Sequence, residues 1–154
     1  MSLSEQDSVR HFTASSYIVD NEKVLLVNHN KLKLWLPAGG HIEANETPDQ
    51  AAIREAKEET GLNVEIIRLD KRNTLSYPRT EVLQMPYVIT LQNIGDHHHI
   101  DMQYICRIKG SKNLNGSEEC KWFTVTEVKE LENCPPEIKE FAEDAIRIVK
   151  NLKQ

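Results

Sequence analysis

The first third of the chain consists of short apolar runs separated by polar breaks, a pattern typical of a β-sheet. β-forming residues are frequent over 9–19 and stop at Asp20-Asn21, and the apolar run Val24–Val27 follows at once. Because a short polar break between two such runs is typical of a tight turn, the pattern predicts a β-hairpin. Apolar and polar positions then alternate over 32–36, which predicts a third strand that stops at Pro37.

Further strands are predicted in the middle and late parts of the chain, with polar loops between them. The predicted strands are 62–69, 82–91, 100–108 and 122–125, and the predicted loops are 70–80 and 109–119. Pro86 lies within the second of these strands. Because proline cannot donate a hydrogen bond to a sheet, that strand is expected at an edge or a bulge.

One helix is predicted between the third and fourth strands. Thr47 suits the N-cap, Pro48 the first helical position and Gly61 the C-terminal cap, with residues 51–60 free of helix breakers. A second, short helix is predicted from a cap at Thr126. Along the chain, the first helix is therefore preceded and followed by strands, which is typical of a sheet covered by helices.

The C-terminal part predicts a longer helix that opens at Pro135-Pro136. Its apolar positions form one stripe, consisting of Ile138, Phe141, Ala142, Ala145, Ile146, Val149 and Leu152. The whole pattern predicts an α/β or α+β fold. Because no internal repeat or low-complexity linker interrupts it, residues 1–154 are interpreted as a single domain.

Composition narrows the possible functions. The chain of 154 residues has 24 acidic and 19 basic side chains and a net charge of −5. This balance argues against stable nucleic-acid binding through broad phosphate neutralisation. No apolar run approaches the roughly 20 residues that a membrane-spanning helix needs, so no membrane association is expected. The three cysteines form no CxxC pair, which favours reduced thiols and a cytoplasmic location.

The first helix gathers three carboxylates on one side. Glu55, Glu58 and Glu59 fall within an arc of roughly 100° beside an apolar arc. Like charges at these spacings repel one another, so a hard divalent cation such as Mg²⁺, which prefers oxygen ligands and bridges to phosphates, would stabilise the set. For three glutamates alone, a solvated acidic face is the competing interpretation.

The surrounding residues favour the cation. The stretch from Gly40 to Leu62 resembles the Nudix box, G-x5-E-x7-R-E-U-x-E-E-x-G-U, where U is a bulky aliphatic residue. The positions that match are Gly40, Glu46, Arg54, Glu55, Glu58, Glu59, Gly61 and, at the final U, Leu62. Ala56 occupies the first U and is smaller than usual, on the buried arc. The run 36–40 resembles the family's lead-in, and Glu118-Glu119 before Trp122 resembles its late acidic position.

This resemblance implies a fold and an activity. The implied fold is the Nudix fold, an α/β/α sandwich around a mixed β-sheet. The implied reaction is hydrolysis of a nucleoside diphosphate linked to another moiety, with Mg²⁺ or Mn²⁺ as cofactor. The implied substrate is a small-molecule nucleotide or pyrophosphate compound, and the modest length favours a compact, MutT-like enzyme.

The resemblance also implies residue roles. Glu55, Glu58 and Glu59 are the expected metal ligands, with Glu55 and Glu59 as the inner pair and the Gly39 carbonyl as a further ligand. Arg54 is expected to orient the carboxylates, with Glu46 as its partner or as an outer ligand. The general base is expected to be Glu55 or a loop acid, Glu118 or Glu119. Gly40, Gly61 and Leu62 are expected to shape the motif.

Residues outside the box have more than one interpretation. If the strand 100–108 extends backwards, His97, His99 and Asp101 share one face. These residues have three interpretations: a polar strand end near solvent, contacts to the substrate, or a second site that binds a transition metal. Trp35 is expected either to stack on a base or, more commonly for such a residue, to pack in the core. Tyr87 has the same two interpretations.

Two other functions on the same scaffold stay open. The first is a non-catalytic nucleotide sensor, which would usually have a damaged box. The second is an isomerase of small diphosphates, which would need a further acid or a thiol such as Cys106 or Cys120 over the carbon skeleton. The sequence is compatible with a monomer or a homodimer.

Overall fold

The computed structural model describes residues 1–70, 72 and 76–152. The strands are β1 (Arg10–Asp20), β2 (Lys23–Asn28), β3 (Trp35–Leu36), β4 (Ala38–His41), β5 (Val64–Ile66), β6 (Ser76–Tyr77), β7 (Thr80–Glu81), β8 (Val88–Asn93), β9 (His98–Ile108) and β10 (Cys120–Phe123). The helices are α1 (Pro48–Thr60), α2 (Val125–Glu130) and α3 (Pro136–Leu152), after an N-terminal 3-10 turn at Leu3–Glu5.

Strand β1 organises the sheet because it has a different partner on each half of one edge. Its C-terminal half pairs antiparallel with β2, as the predicted hairpin, and its N-terminal half pairs antiparallel with β4. Its other edge pairs in parallel with β9. Strands β5 and β8 both pair antiparallel with β9, and β6 and β7 form a separate two-stranded hairpin. The main sheet is therefore mixed, as predicted.

Helices cover both faces of this sheet. On one face, Tyr17 and Val19 of β1 belong to a core cluster that includes α3. On the other, Ala14 and Ile18 belong to a cluster that includes Ala52 of α1. Because successive residues of a strand point to opposite faces, β1 contributes to both layers. This arrangement confirms the α/β class predicted for the chain.

The ends of α1 agree with the sequence prediction. Thr47 and Gln50 form the capping box, and Gly61 ends the helix with a φ of 85°, in the left-handed region that favours glycine. The Gly61 N–H donates to the carbonyl of Lys57. Helix α2 differs, because its N-cap is Thr124 and not Thr126. The Thr124 hydroxyl accepts a hydrogen bond from the Glu127 N–H, and β10 has already ended at Phe123.

Several strand boundaries also differ from the prediction. Strand β3 begins only at Trp35, because Lys33 adopts a φ of 56° in a turn that its N–H closes on the His29 carbonyl. Strand β8 begins after Pro86, and β9 begins earlier than predicted, at His98. The glycine-rich strand β4 was not predicted as a strand. Among the described residues, none of the helices has the length and apolar character needed to cross a bilayer.

Candidate active site

Helix α1 presents its carboxylates at the end of the sheet because small residues hold it close to β1. Ala51, Ala52 and Ala56 are completely buried against the sheet. The small residue at the first aliphatic position of the box, Ala56, therefore lies in a closely packed layer and not at the chemical site. We call Glu55, Glu58 and Glu59, on the flanking side of α1, the acid site.

Arg54 is the ionic centre beside the acid site. Its Nη2 lies 2.6 Å from Glu46 Oε1, and its Nε lies 3.0 Å from Glu46 Oε2, which makes a two-point ion pair. Its Nη1 lies 2.9 Å from Glu55 and 3.3 Å from Glu58. Its Nη2 also donates to the His41 carbonyl at 3.0 Å. One guanidinium therefore holds three carboxylates and the end of β4 in fixed relation.

Glu55 is confined by the glycine that opens the box. A Cβ built at Gly40 would lie 2.4 Å from Glu55 Oε1, so a side chain there would displace the carboxylate. Burial raises the pKa of Glu55, and its hydrogen bond from Arg54 opposes that rise. The glycine thus allows β4 to approach the carboxylate directly.

Glu59 is the most strongly perturbed member of the acid site. Its Oε1 accepts a hydrogen bond of 2.6 Å from the Gly39 N–H. Burial raises the pKa of Glu59 to about 7, and the negative charges of Glu55, Glu118 and Glu58 act in the same direction. Within the described part of the chain, Arg54 forms ion pairs with Glu43, Glu46, Glu55 and Glu58 but not with Glu59. Negative charge at Glu59 is therefore poorly compensated.

The loop before β10 brings the late acidic residues to the end of α1. Gly116 packs against the backbone of Glu59, and the Glu118 N–H donates to the Glu59 carbonyl at 3.1 Å. The half-buried Glu118 side chain accepts from Asn30 at 3.3 Å, whereas the exposed Glu119 side chain accepts from Asn28 at 3.0 Å. Glu118 is the loop acid whose charge affects Glu59.

A cavity of about 440 Å³ opens beside Glu59. Its polar lining residues, which we call the polar wall, are Thr13, Ser15, His29, Lys31, Gly39, Gly40, His41, Glu59, Gln92, Asn93, His99, Asp101 and Glu137. Its apolar wall comprises Val27, Leu32, Leu34, Leu36, Pro37, Ile94, Pro135 and Ile138. This volume and this mixture of polar and apolar lining residues suit a small ligand with one charged and one flat, apolar part.

Asp101 is a buried, hydrogen-bonded acid of the polar wall. It accepts hydrogen bonds from Thr13 Oγ1 at 2.9 Å and from Ser15 Oγ at 2.8 Å, and it lies 3.4 Å from Gln92 Nε2. Its side chain is buried, and burial raises the pKa of its carboxyl. Sequence reasoning selected Asp101 but missed its partners, because they lie on other strands.

The three consecutive histidines separate as the strand pattern requires. His99 lies on the same face of β9 as Asp101 and lines the cavity, whereas His98 alternates to the opposite face and is buried. Burial and the neighbouring histidines lower the pKa of His99 to about 4. His97 precedes β9, with its Nε2 at 2.9 Å from His99 Nε2.

The two aromatic candidates lie away from the cavity wall. Trp35 packs edge-on against Phe123, with ring centroids 5.1 Å apart, and Tyr87 packs edge-on against Phe141. The Tyr87 hydroxyl donates to Asp144. For both residues, these contacts favour core packing over stacking on a base.

The acid site is chemically suited to a divalent cation. Its donors are carboxylate oxygens, which are the ligands that Mg²⁺ and Mn²⁺ prefer. Burial and, to a smaller extent, the neighbouring carboxylates raise the pKa of Glu59, and a bound cation would stabilise its charged form. The residues present therefore fit the metal that the box implies.

Comparison with known proteins gives a consistent result. The model of the NUDIX domain matches residues 9–145. The chain is 28% identical over 130 residues to the probable DHNTP pyrophosphohydrolase of Lactococcus lactis subsp. cremoris, covering 84% of this chain and 69% of that protein. It is 27% identical over 126 residues to the phosphatase NudJ of Escherichia coli (strain K12), covering 80% and 74%.

Solved structures agree at the level of the fold. A hydrolase of the NUDIX family from Clostridium perfringens superposes with a TM-score of 0.80 at 36% identity, covering 91% of this chain and 98% of that one. The Ap4A hydrolase of C. elegans superposes with a TM-score of 0.63 at 16% identity, covering 95% of this chain and 100% of that one. At this identity the match supports the fold alone. Together with the box residues between Gly40 and Leu62, these matches identify the chain as a member of the Nudix family, a hydrolase of pyrophosphate bonds.

Proposed function

We propose that this protein is a metal-dependent pyrophosphohydrolase that cleaves a nucleoside diphosphate linked to another moiety. The observation that carries the proposal is the position of Glu59. Its carboxylate is half-buried, is surrounded by the charges of Glu55, Glu58 and Glu118, and forms part of the wall of the cavity. A carboxylate so placed suits a cation that meets the phosphates of a ligand in that cavity.

The proposed ligands of the cation are Glu55, Glu58 and Glu59, with the Gly39 carbonyl as a further ligand. When bound, Mg²⁺ or Mn²⁺ would offset charge on the phosphates and lower the pKa of a water molecule. Arg54 orients the carboxylates, because its guanidinium spans Glu46, Glu55 and Glu58. Keeping these side chains in one arrangement avoids reorganisation during the reaction.

We propose Glu118 as the general base. Its backbone is hydrogen-bonded to the end of α1, which fixes the loop, and its side chain is half-buried near Glu59. Glu119 is exposed and turns towards Asn28, and Glu55 is held by Arg54. In this role the Glu118 carboxylate accepts the proton of the attacking water.

The walls of the cavity suit the two ends of a nucleotide. The phosphates would lie towards Glu59, Gly39 and Gly40, and the base would lie against the apolar wall. Asp101 and His99 are the proposed substrate contacts on the polar wall. His97 does not line the cavity and is proposed as a neighbour that positions His99. Trp35 is not retained as a stacking residue, because it packs on Phe123.

The geometry favours this function over the two alternatives. An isomerase would need a thiol or acid over the carbon skeleton, but Cys106 is completely buried and burial raises the pKa of its thiol to about 12. Cys120 packs beside the same core layer. A sensor would not need the full set of box acids, and here each is present and in contact with its neighbours.

The domain, its partners and its location are also part of the proposal. Residues 1–154 are proposed to form one Nudix domain, and its partners are proposed to be small molecules. The monomer and the homodimer stay open. A cytoplasmic location is proposed because Cys106, Cys120 and Cys134 are free.

The test is a product assay on chelator-treated protein with and without Mg²⁺. The substrate panel contains nucleoside triphosphates, nucleotide sugars, dinucleoside polyphosphates, coenzyme A and DHNTP, the compound in the name of the Lactococcus relative. We expect Mg²⁺-dependent release of a nucleotide or pyrophosphate product from at least one class. Glu59→Gln should lower turnover by about 10³-fold, since a metal contributes several kcal/mol to the transition state.

The matched control is Glu143→Gln, which removes a carboxylate on α3 outside the site. It should turn over at the wild-type rate. Near wild-type turnover of Glu59→Gln in Mg²⁺ would contradict the metal role of Glu59. Tight binding of a nucleotide without turnover across the whole panel would instead favour the sensor.

A further inference from the structure

A second cluster of ligating side chains lies beside the cavity and contributes His41 and His99 to its lining. We call His11, His41, His97 and His99 the histidine cluster. One ring nitrogen of each lies within 4.8 Å of those of the other three. We propose that the histidine cluster is a binding site for a transition-metal ion, Zn²⁺, separate from the acid site and from its hard cation.

The fold assembles the cluster from distant parts of the chain. His11 of β1 and His99 of β9 are direct neighbours in the parallel pair, and His41 of β4 pairs with Thr13, two residues after His11. His97 belongs to the turn in which the Ile94 N–H donates to the His97 carbonyl. Because each ligand lies on or directly beside a strand of one sheet, the four rings are held by rigid backbone.

The spacing between ring nitrogens matches four-coordinate zinc. His11 Nδ1 lies 3.2 Å from His41 Nε2, and His97 Nε2 lies 2.9 Å from His99 Nε2. With a Zn–N bond of about 2.0–2.1 Å, two ligands of a tetrahedron are about 3.3 Å apart. Small ring rotations would therefore place four nitrogens around one ion.

A carboxylate beside the cluster prepares one ring for a metal. Asp96 Oδ1 lies 2.6 Å from His97 Nδ1, so that nitrogen donates its proton to the carboxylate. The Nε2 of His97, which faces His99, then carries a free lone pair. A carboxylate on the far nitrogen is the usual outer support of a histidine that binds zinc. Asp96 also supplies negative charge near four neutral ligands.

The ligand set determines the class of ion. Imidazole nitrogens suit zinc and other late first-row metals, whereas Mg²⁺ and Mn²⁺ prefer the oxygen donors of the acid site. The two sites are nevertheless close, because His41 directly follows Gly40, which contacts Glu55, and the His41 carbonyl accepts from Arg54. His41 and His99 also line the cavity. An ion there would add positive charge beside the cavity.

The test measures Zn²⁺ binding to tag-free, chelator-treated protein by calorimetry in excess Mg²⁺, which occupies the acid site. We expect one Zn²⁺ per wild-type chain and a rise in melting temperature, because binding to the folded state stabilises it. Substitution with Co²⁺ should give the intense visible bands of a four-coordinate site with nitrogen ligands.

Single substitutions distinguish zinc binding at the histidine cluster from zinc binding elsewhere on the protein. His99→Gln and His11→Gln should abolish tight binding, and His11 is exposed, so its variant should fold normally. Asp96→Asn should weaken binding by about 10- to 100-fold, as for loss of an outer partner. His29→Gln, which changes a histidine outside the cluster, and Glu59→Gln should both bind Zn²⁺ as the wild type does.

Three results would overturn the proposal. The first is equal Zn²⁺ affinity of the wild type, His11→Gln and His99→Gln. The second is loss of the Zn²⁺ in Glu59→Gln, which would place the ion in the acid site. The third is a Co²⁺ spectrum of a six-coordinate oxygen site, which would leave the four rings as a hydrogen-bonded network only.

Discussion

The acid site and the histidine cluster both contribute to the cavity wall, through Glu59 in the first and through His41 and His99 in the second, but the chain builds them in different ways. The acid site comes from one turn and a half of α1, so the helix alone brings Glu55, Glu58 and Glu59 together. The histidine cluster comes from four separate segments, and only the register of β1, β4 and β9 brings its rings together. A local site can be recognised from spacing along the chain, whereas a site assembled by a sheet cannot.

The two regions also differ in charge. The acid site contains anionic oxygens with one guanidinium beside them, and its most buried member has a raised pKa. The histidine cluster contains imidazoles, and burial lowers the pKa of His99. In the absence of a metal ion, the surroundings of Glu59 favour its neutral carboxyl form and the surroundings of His99 favour its neutral imidazole form. If the two regions are independent metal sites, changes in one should leave the other intact.

Among the variants that compare the two regions, the largest effect is expected at the proposed general base. Glu118→Gln should lower turnover by about 10²- to 10³-fold with little change in Mg²⁺ affinity, since loss of a general base affects the proton transfer and not the cation. Glu119→Gln, one residue away, serves as the control. Steady-state kinetics with Mg²⁺ titrations measure both. Equal losses in the two variants would contradict the choice of Glu118, and a change in Zn²⁺ affinity would link the two regions.

Arg54→Gln should have the next largest effect, on stability. The Arg54 and Glu46 side chains are only 24% and 13% exposed, so removing the guanidinium leaves carboxylates partly buried without their partner. We expect the free energy of unfolding to fall by about 2 kcal/mol. Urea denaturation of chelator-treated protein measures it. Arg147→Gln, at an exposed ion pair on α3, should change it little.

The adjacent residues Gly40 and His41 separate the two regions most sharply. Gly40→Ala should weaken Mg²⁺ binding about tenfold and leave Zn²⁺ binding unchanged, because its Cβ would displace the Glu55 carboxylate. His41→Gln should weaken Zn²⁺ binding and leave Mg²⁺ binding unchanged. Calorimetric titrations of both variants with both ions give the four affinities. Parallel losses in the two variants would mean that a single distortion of β4 causes both.

The smallest effect is the pH dependence of stability in the metal-free protein. The pKa of Glu59 is raised from an ordinary 4.5 to about 7 in the folded state. The folded state therefore binds a proton more tightly at Glu59 than the unfolded state does, and the stability gained from this protonation is lost as pH rises from 4.5 through 7. The pKa of His99 falls to about 4 from 6.5, so its contribution is lost as pH falls from 6.5 through 4.

Single variants separate these opposite slopes. Glu59→Gln should remove the first slope and His99→Gln the second, each by about 1 kcal/mol after allowance for solvent screening. Urea denaturation between pH 4 and pH 8 with a chelator present compares them with the wild type. A wild-type slope that persists in Glu59→Gln would assign the titration to another group, such as Asp101, whose pKa burial also raises.

Local features of the chain were predictable because they depend on neighbours in sequence. The caps at Thr47 and Gly61, the hairpin of β1 and β2 and the clustered glutamates all follow from spacing and residue type. Thr124 and Thr126 show the limit of this reasoning. Both suit an N-cap, and the choice depends on where β10 ends against β2.

Features that depend on strand register were not predictable in the same way. Strand β4 contains two glycines and lacks β-forming residues, and it is extended because β1 offers it a free edge. The partners of Asp101, Thr13 and Ser15, are ordinary small polar residues that gain a role only when β1 lies beside β9. The pattern of buried and exposed residues along one strand does not specify which other strand pairs with it.

By itself, the sequence determined the class of the fold, the capped helix and the identity of the acid site, since helix periodicity places residues three and four apart on one face. Only the tertiary structure decided which strands border the cavity, that Glu118 and not Glu119 approaches Glu59, and that four distant histidines meet. The physical reason is that these contacts depend on sheet register and loop docking, which distant parts of the chain fix together.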